Sequence, residues 1–206
     1  MLNSYGFDLW ADEYDKSVSQ SQQQQTYPFA GYRDVLNYIY IQIRRRKGKK
    51  ILDLGFGTAL LAQRLYQDGY QIFGVDFSPR MLEIARGKMP GARLELWDFS
   101  RGLPPAFAGE QFDFILCTYA IHHLDTLQKV ELLTALRSCL SDTGLLLVGD
   151  VAFATGAQQE GCRRQNLAAW DEEEIYPVVE ELAPFLPGLQ FEQFGFCAGV
   201  LSMGKN

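Results

Sequence analysis

The sequence predicts an α/β domain on a doubly wound, mostly parallel sheet. Three observations lead there. The run Ile51-Leu52-Asp53-Leu54 ends in Gly55 and Gly57 and passes directly into a helical pattern, which reads as buried strand, tight turn and helix start. From that point apolar strand-length runs alternate with amphipathic helical ones, the signature of βα units. The last two β-like runs, Leu189–Phe196 and Val200–Gly204, are joined by too few residues for a crossover and must pair antiparallel.

Taken in order, Phe7 to Val18 has Trp10 and Tyr14 four apart on one face, the spacing of a short helix. The glutamine-rich stretch from Ser19 to Thr26 shows no periodicity. Val35, Leu36, Ile39 and Ile43 then mark a helix that stops at Arg44-Arg45-Arg46-Lys47-Gly48, a cationic last turn that complements the helix dipole. Strand Ile51–Leu54 leads to a helix over Thr58–Asp68, closed by Gly69. Strand Gln71–Asp76 leads to a helix capped by Ser78 with Pro79 at its first position. Strand Arg93–Trp97 precedes a loop through Pro104-Pro105. Strand Phe112–Tyr119 is apolar on both faces, as a central parallel strand should be.

Asp125 with Gln128 forms a capping box for a helix bearing Val130, Leu133, Leu136 and Leu140. Strand Gly144–Val151 is the fifth. Ala154–Gln165 is small and polar, and Trp170–Leu186 is expected to be helical with acidic residues at its start. No internal repeat or domain boundary appears, so residues 1–206 are expected to form one domain, with 1–48 as an N-terminal helical cover.

Composition narrows the function. The chain of 206 residues carries a formal charge of −6, with 47% hydrophobic and 21% charged residues. Such a surface offers no standing attraction for nucleic acid or anionic membrane. No apolar stretch approaches the ~20 residues of a membrane helix, and the first residues lack the features of a signal peptide. The cysteines (Cys117, Cys139, Cys162, Cys197) make no metal-binding spacing, as expected of a cytoplasmic protein.

The chemistry concentrates at strand ends. In an open parallel sheet these line up, and ligands bind at the carboxyl ends near the point where strand order reverses. Asp53-Leu54-Gly55-Phe56-Gly57 ends the first such strand, Asp76 the second, and Asp98 follows the third. Asp76 trails Gly55 by 21 residues, a spacing that suits a carboxylate accepting from both hydroxyls of a ribose. A dinucleotide loop wants a further glycine at position 60, where Leu60 stands, and Asp53 would repel a pyrophosphate. The same acid suits a cationic amine. A nucleoside with an amino-acid tail, S-adenosyl-L-methionine, fits better than a nicotinamide dinucleotide.

DLGFGTALLAQRL, VDFSPRMLEIAR, ELWDFS and FDFILCTYAIHHL together resemble class I S-adenosylmethionine-dependent methyltransferases. The opening WADEYDKSV is similar to a bacterial group of small, largely uncharacterised methyltransferases associated with sulfur amino-acid recycling. The family's third loop glycine is Ala59 here. The resemblance implies a Rossmann-like, seven-stranded sheet that is mostly parallel with an antiparallel C-terminal strand. It implies that Asp53 and the Gly55–Gly57 loop hold the methionine part and Asp76 the ribose. Phe77 and Met81 would flank the adenine, and Asp98 and Phe99 would read its edge. Tyr14 and Trp10 would belong to a lid over the cofactor.

Methyl transfer from a sulfonium needs no metal and no covalent nucleophile, only alignment and exclusion of water. Tyr119, His122 and His123 follow the fourth strand and are candidates to line the acceptor pocket, with His122 as a possible proton acceptor. No [DNS]-P-P-[YF] tetrapeptide of a DNA amino-methylase and no Pro-Cys pair of a cytosine methylase is present, so a small-molecule acceptor with an N, O or S nucleophile is expected. A cofactor-binding protein without catalysis and a nicotinamide-dependent oxidoreductase are the alternatives.

Overall fold

The computed structural model describes residues 26–205. The Trp10/Tyr14 helix, and Tyr14 with it, lies outside these residues. The described part of the expected cover supplies α1 (Tyr32–Arg44). Alternation then runs β1 (Lys50–Leu54), α2 (Leu60–Gln67), β2 (Gln71–Asp76), α3 (Pro79–Lys88), β3 (Arg93–Leu96), β4 (Phe112–Thr118), α4 (Thr126–Ser138) and β5 (Leu140–Val151). After α5 (Gly156–Gln165) and α6 (Val179–Leu182), the hairpin β6 (Gln190–Phe194) and β7 (Ala198–Gly204) completes the chain.

The seven strands form one sheet in the order β3-β2-β1-β4-β5-β7-β6. β1 pairs parallel with β2 and β4, while β7 runs antiparallel to both β5 and β6. Successive side chains on a strand face opposite ways, so Ile51 and Leu52 start two different cores. Ile51, Ile72 and Phe114 pack under α1, α2 and α3 with Val35, Leu65 and Ala85. Leu52, Phe73 and Ile115 pack under α4 with Leu132, Leu133 and Leu136. α1 lies so close to β5 that a Cβ on Gly149 would stand 2.5 Å from Val35 Cγ1; only glycine admits that approach. The cysteines are free thiols, and all but Cys139 are buried. No helix among the described residues is long and apolar enough to cross a membrane.

Three expectations are corrected. Trp170–Leu186 is not one helix; only Val179–Leu182 is helical. Phe153 bridges in parallel to Val178 and Phe153 N–H donates to Pro177 O at 3.0 Å, so the segment follows the end of β5 instead of coiling. Proline 177 and the like charges of Asp171-Glu172-Glu173-Glu174 also oppose a helix there. The polar stretch before it is helical instead: Thr155 and Gln158 form a capping box that opens α5. Leu140 belongs to β5 and not to the preceding helix, because it pairs with Phe112.

Candidate active site

The strand order reverses between β1 and β4, and a cavity of about 340 Å³ opens at their carboxyl ends. Its wall includes Asp53, Gly55, Gly57, Asp76, Phe77, Met81, Phe99, Tyr119, His122 and His123. The cofactor and acceptor candidates from distant strands therefore meet in one place, with Asp98 the exception. Asp98 caps the short helical turn Phe99–Arg101 by accepting from Ser100 N–H, its side chain is 49% exposed, and it does not belong to the wall.

The loop after β1 is held from two sides. Gly55 has φ 66°, and a Cβ on it would stand 2.6 Å from Ala120 Cβ. Gly57, at φ 53°, has nothing within 4 Å of where a Cβ would be, so its bare backbone faces open space. Asp76 ties the loop to the neighbouring strand end: Oδ2 accepts from Gly57 N–H at 2.9 Å and Oδ1 from Ser78 N–H at 2.9 Å. Those bonds fix the carboxylate in the cavity wall, and an ionised carboxylate has about four acceptor positions.

Ala59 occupies the left-handed region at φ 61°, as the cap of α2. A residue with a Cβ is strained there by about 1–2 kcal/mol. Ala59→Gly should therefore stabilise the protein by about 0.5–1 kcal/mol after the added freedom of the unfolded chain is counted, read as a rise of a few degrees in Tm. Tyr119 is also left-handed, at φ 50°, where β4 leaves the sheet. Bulky residues rarely adopt that conformation, and such strain gathers at functional sites.

Asp53 sits inside the sheet, between Gly74 and Leu116. It is 2% exposed, and its Oδ1 has no hydrogen-bond partner among the described residues. Burial, and then the charge of Asp76, push its carboxyl up to about 8. A carboxylate left unsatisfied in a cavity wall is suited to a cationic group.

The opposite wall carries a polar chain that the strand-end argument missed. His122 Nδ1 lies 2.8 Å from Asp150 Oδ1, and its Nε2 lies 3.5 Å from Glu174 Oε1. Tyr176 O–H donates to Glu174 Oε2 at 2.5 Å, and the Tyr27 and Tyr176 hydroxyls are hydrogen-bonded to each other. Ile175 N–H donates to His122 O at 2.9 Å, seating the Glu174 segment on the turn after β4. Burial favours the neutral ring of His122, but Asp150, by charge and hydrogen bond, and then Glu174 outweigh it and raise its pKa. His123 is pushed the other way, to about 4, by burial and by the neighbouring His122.

The chain holds only two histidines, so NMR of the ring protons should resolve the pair cleanly. His122 is expected to titrate above 6.5 and His123 near 4, and Asp150→Asn should move His122 downward. A raised histidine contributes stability that is complete below its unfolded value and lost as pH rises through its folded value. The Asp150–His122 contribution should thus fade above pH 6.5.

Asp150 could have been noticed as one more acid at a strand's carboxyl end. Nothing in the run Asp171–Glu174 marks Glu174 apart from its neighbours before the chain folds.

Fold and site together give an α/β sheet whose switch point carries a bare glycine turn and two strand-end acids, with no lysine or arginine in the cavity wall among the described residues. Comparison with known proteins sharpens this. A methyltransferase domain family matches residues 51–144. An uncharacterized methyltransferase of Alkaliphilus oremlandii is 32% identical over 176 residues, 85% of this chain and 78% of that protein. Another, from Geobacillus kaustophilus, is 32% identical over 200 residues, 93% of this chain and 87% of the relative. Among solved structures, magnesium protoporphyrin IX methyltransferase from Synechocystis PCC 6803 with bound SAH shares the fold, with a TM-score of 0.61 at 14% identity over 95% of this chain and 97% of that one. The chain belongs to the family of these methyltransferases.

Proposed function

We infer that the protein transfers a methyl group from S-adenosylmethionine to a nucleophilic N, O or S atom of a small molecule. The observation that carries this reading is the pairing, in one cavity, of the unsatisfied Asp53 Oδ1 with the doubly anchored Asp76. The cofactor fits both: its ammonium suits Asp53 and its ribose suits Asp76, with Phe77 and Met81 beside the base. A diphosphate fits neither, since carboxylates repel it and no fixed cation in the described wall would offset that. Phe99 lies along the base-binding side, and Asp98 would need to turn inward to reach the adenine amino group. Bound there, the cofactor supplies an electrophilic methyl on a sulfonium.

The chain's own part is to orient the acceptor and keep water out. Tyr119, His122 and His123 lie where the acceptor would enter. His122 Nδ1 is hydrogen-bonded to Asp150 and its Nε2 lies 3.5 Å from Glu174 Oε1, so the ring is positioned against the Glu174 segment. Its role is to hold the Glu174 segment over the pocket. The relatives' names carry methyl transfer without an acceptor, and the sulfur amino-acid association stays an expectation.

Titration calorimetry with S-adenosylhomocysteine and with NAD tests the cofactor assignment. The first should bind and the second should not; NAD binding with no response to S-adenosylhomocysteine overturns it. Release of S-adenosylhomocysteine on a panel of amines, phenols, thiols and carboxylates tests catalysis, and silence across the panel favours a non-catalytic cofactor-binding protein.

A further inference from the structure

The cavity wall holds more negative charge than the cofactor uses. Asp53 and Asp76, at the ends of β1 and β2, are accounted for by the reading above, on which this inference rests. Asp171 and Glu174 also line the cavity, from the segment fastened to β5 by the Phe153–Val178 bridge. That segment follows β5, which lies across β4 from β1 and β2 in the strand order.

The charges nearby do not cancel Glu174. The two ring nitrogens of His122 face two carboxylates, Asp150 at 2.8 Å and Glu174 at 3.5 Å, so acidic groups outnumber basic ones on this side. His123 is held neutral by its burial beside His122. Lys129 is buried behind the site with its Nζ donating to Leu124 O, and it is not part of the wall. Glu174 is 26% exposed on its side chain, and its described partners, Tyr176 O–H and the His122 ring, leave lone pairs for a further donor.

Three rings complete the pocket. Tyr32 and Tyr119 have centroids 4.7 Å apart, and Phe29 lies 5.8 Å from each. Ring faces attract a cation within about 6 Å and give an apolar body a surface to rest on. A carboxylate and an aromatic corner in the wall of one cavity, with no lysine or arginine in the described wall, are the recognition chemistry of an amine. An anionic acceptor would meet Glu174 and Asp171 with no lysine or arginine in the described wall to offset them.

We propose that the acceptor is a small amine, bound through its ammonium to Glu174 and packed against Phe29, Tyr32 and Tyr119. Glu174 is then both the group that selects the amine and the base that frees it. One N–H bond breaks, its electron pair stays on nitrogen, and the proton forms an O–H bond on Glu174, leaving the acceptor nucleophilic and neutral. His122 and Tyr176 are positioning residues that point the carboxylate.

The test uses protein saturated with S-adenosylhomocysteine and two probes of matched body and opposite charge, phenethylamine and phenylpropionate, titrated calorimetrically. The amine should bind at least ~10-fold tighter, a gap of about 1.4 kcal/mol. Glu174→Gln keeps the shape and should lower amine affinity ~10-fold while narrowing that gap, and Glu174→Asp should restore part of it. Affinity for S-adenosylhomocysteine in each variant reports that it is folded. Equal or tighter binding of phenylpropionate, no binding of phenethylamine, or an unchanged preference in Glu174→Gln overturns the proposal. Absence of S-adenosylhomocysteine binding in the unaltered protein overturns the cofactor reading instead, and is seen before either probe is added.

Discussion

Asp76→Ala is expected to weaken S-adenosylhomocysteine binding about 100-fold or more. On the proposed reading the carboxylate accepts from both ribose hydroxyls, and each charge-assisted bond contributes about 1.5 kcal/mol or more, so losing two removes roughly 3 kcal/mol, a factor of about 100. A second effect adds to the first. Gly57 N–H and Ser78 N–H each donate to this carboxylate at 2.9 Å, so the glycine loop loses the tie that holds it to β2. Asp76→Asn separates the two effects, because an amide oxygen can still accept from one of these N–H groups. Its affinity should fall between those of the alanine variant and the unaltered protein. Calorimetric titration reads all three, and an alanine variant binding within about threefold of normal would remove Asp76 from the ribose site.

Asp53→Asn should make the ligand-free protein more stable and the loaded protein weaker. The carboxyl is buried without a partner on Oδ1, and its pKa stands at about 8 against 3.8 for the free side chain. A raised carboxyl costs nothing below the unfolded value, where it is protonated in both states. The cost grows as pH climbs from there and levels off above about 8. Removing the charge should therefore leave stability unchanged near pH 4 and raise it by one to a few kcal/mol near pH 9, seen as a pH-dependent gain in Tm.

The same charge matters in the opposite sense for the cofactor. An ammonium binds the ionised form, so affinity for S-adenosylhomocysteine should rise with pH, by up to about tenfold per unit, up to about pH 8, where Asp53 is half ionised, and level off above it. In Asp53→Asn that rise should vanish and affinity should sit below the plateau of the unaltered protein. A flat affinity profile in the unaltered protein would detach Asp53 from the cofactor's amine.

The glycine turn and the strand-end acids of the proposed cofactor side were legible because their signals are local. A buried apolar run ending in Gly55 and Gly57 can be little else than a strand and a tight turn, and Asp76 is set by the length of one helix and one strand. Caps at Ser78 and Asp125 are equally local, and both are made. Asp98 shows the limit of such reasoning. Its position at a strand end follows from the alternation, but the direction of its side chain was decided by a competing bond to Ser100 N–H. Trp170–Leu186 failed for a similar reason: its composition permits a helix, yet pairing of Val178 with Phe153 and the proline before it hold the chain extended.

By itself the sequence determined the sheet, its reversed last strand and the cofactor edge, because periodicity and turn chemistry act over a few residues. Only the tertiary structure decided the acceptor side. Phe29, Asp150 and Glu174 come from three remote segments, and they join Tyr119, which the sequence had marked, only when α1 and the α5–α6 connection pack on the same strand ends. Burial then sets their charge states: the two histidines, adjacent in the chain and alike in sequence, part company because one meets Asp150 and Glu174 and the other is buried beside it.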